Sequence, residues 1–296
     1  MDGLRFDPVD SRLFAAAKAG DLYELGQIVL SGLPLDEVDR DGDTALHTAV
    51  SHNQREAADF LIQHGVDLNQ KNRLGKTPIM VAVLSQNVEI TDMLIQKGAS
   101  LGEKDAIGWN VFFLCADSGF EEGFTILSQA HSDFMSKDPF GYTPLHIACL
   151  EGHEGIAHMI LTKPIETDLK NIRGITPLHL ASYNGHWKVG KLLLAHGMDP
   201  NPSDDEGIVP LFLAARQGHM QFVIALIEGG ADLTRIDNAG WNVIHHAAEK
   251  GNKAVVQFLK GVGVNCNLQD HLGITPLDIA KKNQHKELEE YLRQSQ

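Results

Sequence analysis

The stretch Gly174–Asn201, GITPLHLASYNGHWKVGKLLLAHGMDPN, decides how the chain is read. Gly174 offers the unusual backbone angles of a tight turn. Thr176 is placed to cap a helix, and Pro177 follows at the first helical position, where a missing N–H costs nothing. The short helix this predicts stops at Gly185. A second segment then shows an apolar face of Val189, Leu192, Leu193 and Leu194, and ends at Gly197, the residue type suited to a left-handed helix terminus.

The same grammar recurs outward in both directions. Thr-Pro-Leu-His also stands at Thr143–His146, and degenerate copies begin at Thr44, Thr77, Asn110, Val209, Asn242 and Thr275, with Ser11 opening the series. These nine anchors (11, 44, 77, 110, 143, 176, 209, 242 and 275) are all 33 residues apart. A Gly precedes eight of them by two residues, from Gly42 to Gly273, and a Gly separates the two helices in most units. One such unit cannot bury its own apolar face, so the period predicts repeats stacked into one elongated core.

The pattern resembles the ankyrin repeat family, from Ser11 to about Leu292. The resemblance implies an all-α solenoid of stacked helix-turn-helix units with β-hairpin fingers. It predicts a short N-terminal arm over residues 1–10 and a single ankyrin repeat domain over 11–296, whose last unit is a C-terminal cap. There Leu288, Tyr291 and Leu292 face inward, while Lys281, Lys282, Lys286, Glu287, Glu289 and Glu290 form a polar outer face.

Composition narrows the function. Lys and Arg number 25 against 39 Asp and Glu, a net charge of −14, which repels nucleic acid and anionic membranes. Hydrophobic residues at 43% fit a folded chain, and no apolar run approaches the ~20 residues of a membrane span. Three scattered cysteines point to a reducing compartment, so a cytoplasmic protein is expected, with nuclear entry open. Cys115 and Cys149 fall at small-residue helix positions and read as buried thiols, leaving Cys266 as the exposed one.

No phosphate loop, Cys-x-x-Cys pair or nucleophile elbow is present, so the chain is expected to be non-enzymatic, with no cofactor and no metal. Asp39, Asp41 and Asp43 superficially suggest a calcium loop, but the glycine comes too early and Val50 stands where the last ligand belongs. They read instead as a charged hairpin tip. His47, His146, His179 and His245 share the fourth anchor position, and the family resemblance implies that they tie neighbouring repeats by hydrogen bonds.

Partner binding is expected on the concave face, through the fingers and the surface of the first helices. The variable positions there are apolar or aromatic from the third finger on: Ile107, Trp109, Phe140, Tyr142, Ile172, Ile175, Ile208 and Trp241, joined by Tyr183 and Arg216 on first helices. Each side chain one residue before an anchor has two readings, partner contact or packing on the next finger. The expected function is a scaffold or adaptor for a protein or peptide partner, a basic or apolar segment, acting as a monomer. The alternatives are a recognition domain of a larger enzyme, channel or bacterial effector, or an inhibitory subunit that occludes a partner enzyme. The acidic runs around Asp36–Asp43 and Asp204–Glu206 serve either solubility or the steering of a basic partner. Family resemblance also marks Asn69, with Leu61 eight residues earlier, and Asn201, with Leu193, for asparagine hydroxylation.

The fourth unit departs most. Its anchor reads Asn-Val-Phe-Phe, His131 replaces the terminal Gly, and Pro164 does so in the fifth. Phe113 and Phe120 stand where other units carry histidines, which predicts a junction without its polar tie.

Overall fold

A computed structural model of the chain describes residues 11–130 and 133–294. The arm expected over residues 1–10 and the helix exit at His131 lie outside the described residues. Eighteen α-helices are present among the described residues, two for each period of 33. The chain divides into two compact units, Met1–Pro139 and Phe140–Gln296.

In the first unit the first helices of each repeat, α1 (Ser11–Ala19), α3 (Ala45–Ser51), α5 (Pro78–Leu84) and α7 (Val111–Ser118), stack in order. The second helices, α2 (Leu22–Leu30), α4 (Arg55–Gln63), α6 (Val88–Gln96) and α8 (Glu121–Ala130), stack behind them. The first helices are buried on most sides, which their runs of small and branched residues permit. The second helices bury one face, as Ala57, Ala58 and Leu61 show in α4. The phenylalanines of the fourth repeat follow their register: Phe112 and Phe124 are buried with ring centroids 5.5 Å apart, and Phe134 closes a triangle with both at 6.2 Å. Such edge-on clusters favour a fixed core geometry.

The second unit repeats the plan with α9 (Pro144–Glu151), α11 (Pro177–Asn184), α13 (Pro210–Gln217), α15 (Val243–Glu249) and α17 (Pro276–Lys282) in front. Behind them stand α10 (Glu154–Leu161), α12 (Trp187–Ala195), α14 (Met220–Glu228), α16 (Lys253–Gly261) and α18 (Lys286–Arg293). Gly190 of α12 leaves a hole that the Phe222 ring of α14 fills, since a Cβ there would lie 2.3 Å from the ring. In α18, Leu288 and Leu292 are buried and Tyr291 is half-buried under Lys260, 5.7 Å from its ring centroid, with a polar face outside.

Chain reversals follow the expected glycines, which take left-handed angles at both helix ends and in the fingers. Gly75 also shows close approach: a Cβ would meet the Ala106 backbone nitrogen of the next finger at 2.6 Å. Between the paired helices, three repeats depart from glycine yet keep the angle, with φ of 60° at Asn53, 51° at Gln86 and 62° at Gln284. The exit of α10 is different, as Pro164 requires: the helix stops at Leu161, and no positive φ occurs where Gly32, Gly65, Gly98, Gly197, Gly230 and Gly263 turn left-handed in other repeats.

Candidate protein-interaction surface

Seven fingers are five-residue turns, each built on one Asp or Asn placed five residues before the anchor. Asp204 donates its N–H to the Ile208 carbonyl at 3.0 Å, while its Oδ1 accepts the N–H groups of Glu206 at 2.9 Å and Ile208 at 2.8 Å. Asp39, Asn72, Asp105, Asn171, Asp237 and Asp270 do the same in their fingers. The fingers are therefore side-chain-closed turns; among the described residues only Val38 and Thr44 make a β-bridge. Asp39 is thereby engaged by backbone N–H groups. Among the described residues no group of three or more His, Cys, Asp or Glu could hold a metal.

Two further ladders fix one repeat to the next. At the anchor, the His179 Nδ1 accepts from the Thr176 N–H at 3.1 Å, and its Nε2 donates to the Ile208 carbonyl at 3.0 Å. His47 reaches Lys76 at 3.0 Å, His146 reaches Ile175 at 3.2 Å and His245 reaches Ile274 at 3.3 Å. The ties implied by resemblance are thus present. Burial lowers the pKa of His47, His179 and His245, outweighing the carbonyl bonds that favour the cation. At the other end of the first helices, His186, His219 and His285 donate back to carbonyls of Leu150, Tyr183 and Glu249 in the preceding repeat, at 3.1, 3.1 and 3.0 Å. In the fourth repeat Phe113 and Phe120 are buried rings, with no atom to make either bond.

The proposed contact residues separate into two groups. Ile107 in the first unit, and Phe140 and Ile172 in the second, stand at finger tips and are 59%, 59% and 67% exposed. Tyr183, at the end of α11, is 49% exposed. The residues one before the anchor are half-buried and engaged. Trp109 stacks on Phe113 at 5.5 Å, and its indole N–H points to Asp138 at 3.4 Å. The Trp241 indole donates to Asp270 at 2.9 Å and its ring flanks His245 and His246. Tyr142 lies edge-on to His146. Ile175 and Ile208 lend their carbonyls to the histidine ties, and Arg216 pairs with Glu249 of the next repeat at 2.7 Å. Asn69 and Asn201 hold the following turn: their Oδ1 atoms accept from Ser100 at 2.8 Å and Asp232 at 2.7 Å.

Sequence reasoning missed the finger-closing Asp and Asn, although their recurrence at 33 residues was there to be counted. It also misplaced Cys266, which is buried at 6% exposure. Cys266 shares its register with Leu35, Leu68, Leu101, Phe134 and Leu233, a mostly apolar column. The charge is uneven too: the first unit has 11 Lys and Arg against 22 Asp and Glu, the second 14 against 17.

Repeats with this build define a class of recognition module. The family model for ankyrin repeats (three copies) matches residues 13–105, 111–204, 159–237, 193–270 and 211–296, and the chain belongs to that family. Ankyrin repeats are protein–protein interaction modules and in general carry no catalysis of their own. Proteins of curated function yield no match to the chain. Among the described residues no helix is long and apolar enough to cross a membrane.

Proposed function

We propose that the chain is a non-enzymatic scaffold or adaptor that binds a protein or peptide segment through its finger tips and exposed first-helix ends. One observation carries this: within each finger the side chains divide by position. Those beside the anchor are half-buried, with Trp109 and Trp241 bonded to an Asp of the next finger, whereas Ile107, Phe140 and Ile172 leave more than half of their surface in water. Exposed apolar side chains add little to the array's own stability and release free energy when a partner covers them.

The test compares Ile107→Ser, Phe140→Ser and Ile172→Ser, singly and combined, with Trp241→Ala. Affinity capture from cell extract with quantitative mass spectrometry reads partners, and thermal melting reads the fold. Tip variants should stay within about 0.5 kcal/mol of wild type in stability and lose captured protein. Trp241→Ala should lower the melting temperature. An unchanged partner profile for the combined tip variant would remove the basis of the assignment.

A further inference from the structure

In the second unit backbone hydrogen bonds fix the order of the finger tips. Ile172 N–H donates to the Phe140 carbonyl at 3.0 Å, Asp205 N–H to Arg173 at 3.2 Å and Asn238 N–H to Glu206 at 3.1 Å. The tips therefore present, in sequence, Phe140, then Ile172 with Arg173, then Asp205 with Glu206, then Asn238. Phe140 and Ile172 are exposed and apolar, Arg173 is exposed and basic, and Asp205 and Glu206 are exposed and acidic. Beside the acidic tip lies an open cleft of about 380 Å³, with Asp205, Glu206 and Asp237 among its lining residues. Burial works against the Asp237 carboxylate, but the His246 ring 3.1 Å away and the N–H groups of Trp241 and Ala239 prevail and hold it ionised. Arg173 lies 3.2 Å from Glu206.

We propose that this ladder takes an extended peptide in one direction, with an apolar residue packed on Phe140 and Ile172 and a Lys or Arg side chain in the carboxylate-lined cleft. The proposal rests on the reading of the tips as the binding surface, and adds the partner's chemistry and polarity. Charge complementarity selects the occupant: an acidic segment is repelled, and a wholly apolar one brings no charge to the exposed Asp205 and Glu206. Helix packing sets roughly 8–10 Å per repeat. From the Ile172 tip to the cleft is about one and a half repeats, on the order of 12–15 Å. An extended chain advances about 3.3 Å per residue, so the basic residue follows the apolar one by about four positions.

Three synthetic peptides of about a dozen residues test this by fluorescence anisotropy with the full chain. The first carries Leu-Ser-Leu followed, about four residues on, by Arg-Ser-Arg. The second replaces both Arg by Glu, and the third has the first sequence reversed. The first should bind at least about tenfold more tightly than the others, with affinity falling as salt rises. Asp205→Asn with Glu206→Gln should weaken it about tenfold and flatten the salt dependence; both side chains are exposed and these two residues join the finger bonds only through their backbone, so circular dichroism should not change. Equal binding of the Glu peptide, no binding of the Arg peptide, or an unaltered salt slope in the Asn/Gln variant overturns the proposal. If Phe140→Ser with Ile172→Ser still abolishes partner capture in those cases, the interaction reading survives and only the polarity falls. If capture is unaffected as well, both fall.

Discussion

His179→Leu removes three hydrogen bonds at once from a position only 1% exposed. The Thr176 N–H and hydroxyl lose their acceptor at 3.1 and 2.9 Å, and the Ile208 carbonyl loses a donor at 3.0 Å. Leucine nearly restores the side-chain volume, so the packing change is small and the polar loss decides the outcome. A buried group left unpaired costs about 1–3 kcal/mol, and the Thr176 hydroxyl can still serve the His179-position N–H. The Ile208 carbonyl keeps the Asp204 N–H at 3.0 Å, so the Thr176 N–H alone is left unpaired and carries the penalty, giving about 1–3 kcal/mol. Urea unfolding followed by circular dichroism measures it. Amide exchange should accelerate first in α11 and α13, because repeat arrays couple mainly between neighbours. A loss below about 1 kcal/mol would refute the reasoning, since it would mean that the Thr176 N–H finds another partner.

The same substitution has a signature in pH. Burial lowers the pKa of His179 below its ordinary 6.5, so near and below that pH the unfolded chain binds a proton that the folded chain refuses. Stability therefore rises with pH through this window and is complete above it; it is lost as pH falls. The slope reaches about 1.4 kcal/mol per pH unit for each histidine. His47 and His245 contribute in the same direction. His179→Leu should remove one histidine's share of the slope below pH 6.5, and an unchanged slope would show that the tie does not exclude the proton.

Backbone strain and thiol burial give further tests. Gln284→Gly should stabilise the last repeat by about 0.5–1 kcal/mol in urea titrations, as relief of a left-handed φ of 62° exceeds the added freedom of the unfolded chain. Gly185→Ala, at the equivalent place, should lose more than about 1 kcal/mol, because its Cβ would lie 2.7 Å from the His219 ring. All three cysteines should resist iodoacetamide until the chain unfolds, Cys115 and Cys149 most strongly because burial also raises their pKa; mass spectrometry of the labelled native protein is the readout.

Most of the fold was legible because each recurring residue meets a local demand: Gly174 turns, Thr176 caps, Pro177 starts a helix. What stayed hidden depends on atoms about 29 to 33 residues away. Whether Trp241 faces a partner or packs is decided by Asp270 of the next finger, which accepts its indole N–H. Cys266 looks exposed as a turn residue and is buried because turns stack on one another. The left-handed angles at Gln86 and Gln284 break the local rule outright; the repeat geometry around them imposes the conformation against their own preference.

The division between fixed and free positions follows from which atoms do the joining. Rungs between fingers use backbone N–H and carbonyl groups, so any residue with an N–H can occupy a tip. Arg73, Ala106, Ile172, Asp205, Asn238 and His271 all make the rung despite their different chemistry. Pro139, at the same place in its repeat, is the exception, since proline has no N–H to give. His47, His146, His179 and His245 have no such freedom, because there the side chain itself is the tie. Tip side chains can therefore change with little effect on stability, and differences in recognition accumulate where the fold does not constrain them. That is why the sequence of tips, more than the net charge of −14, is the place to read what this array binds.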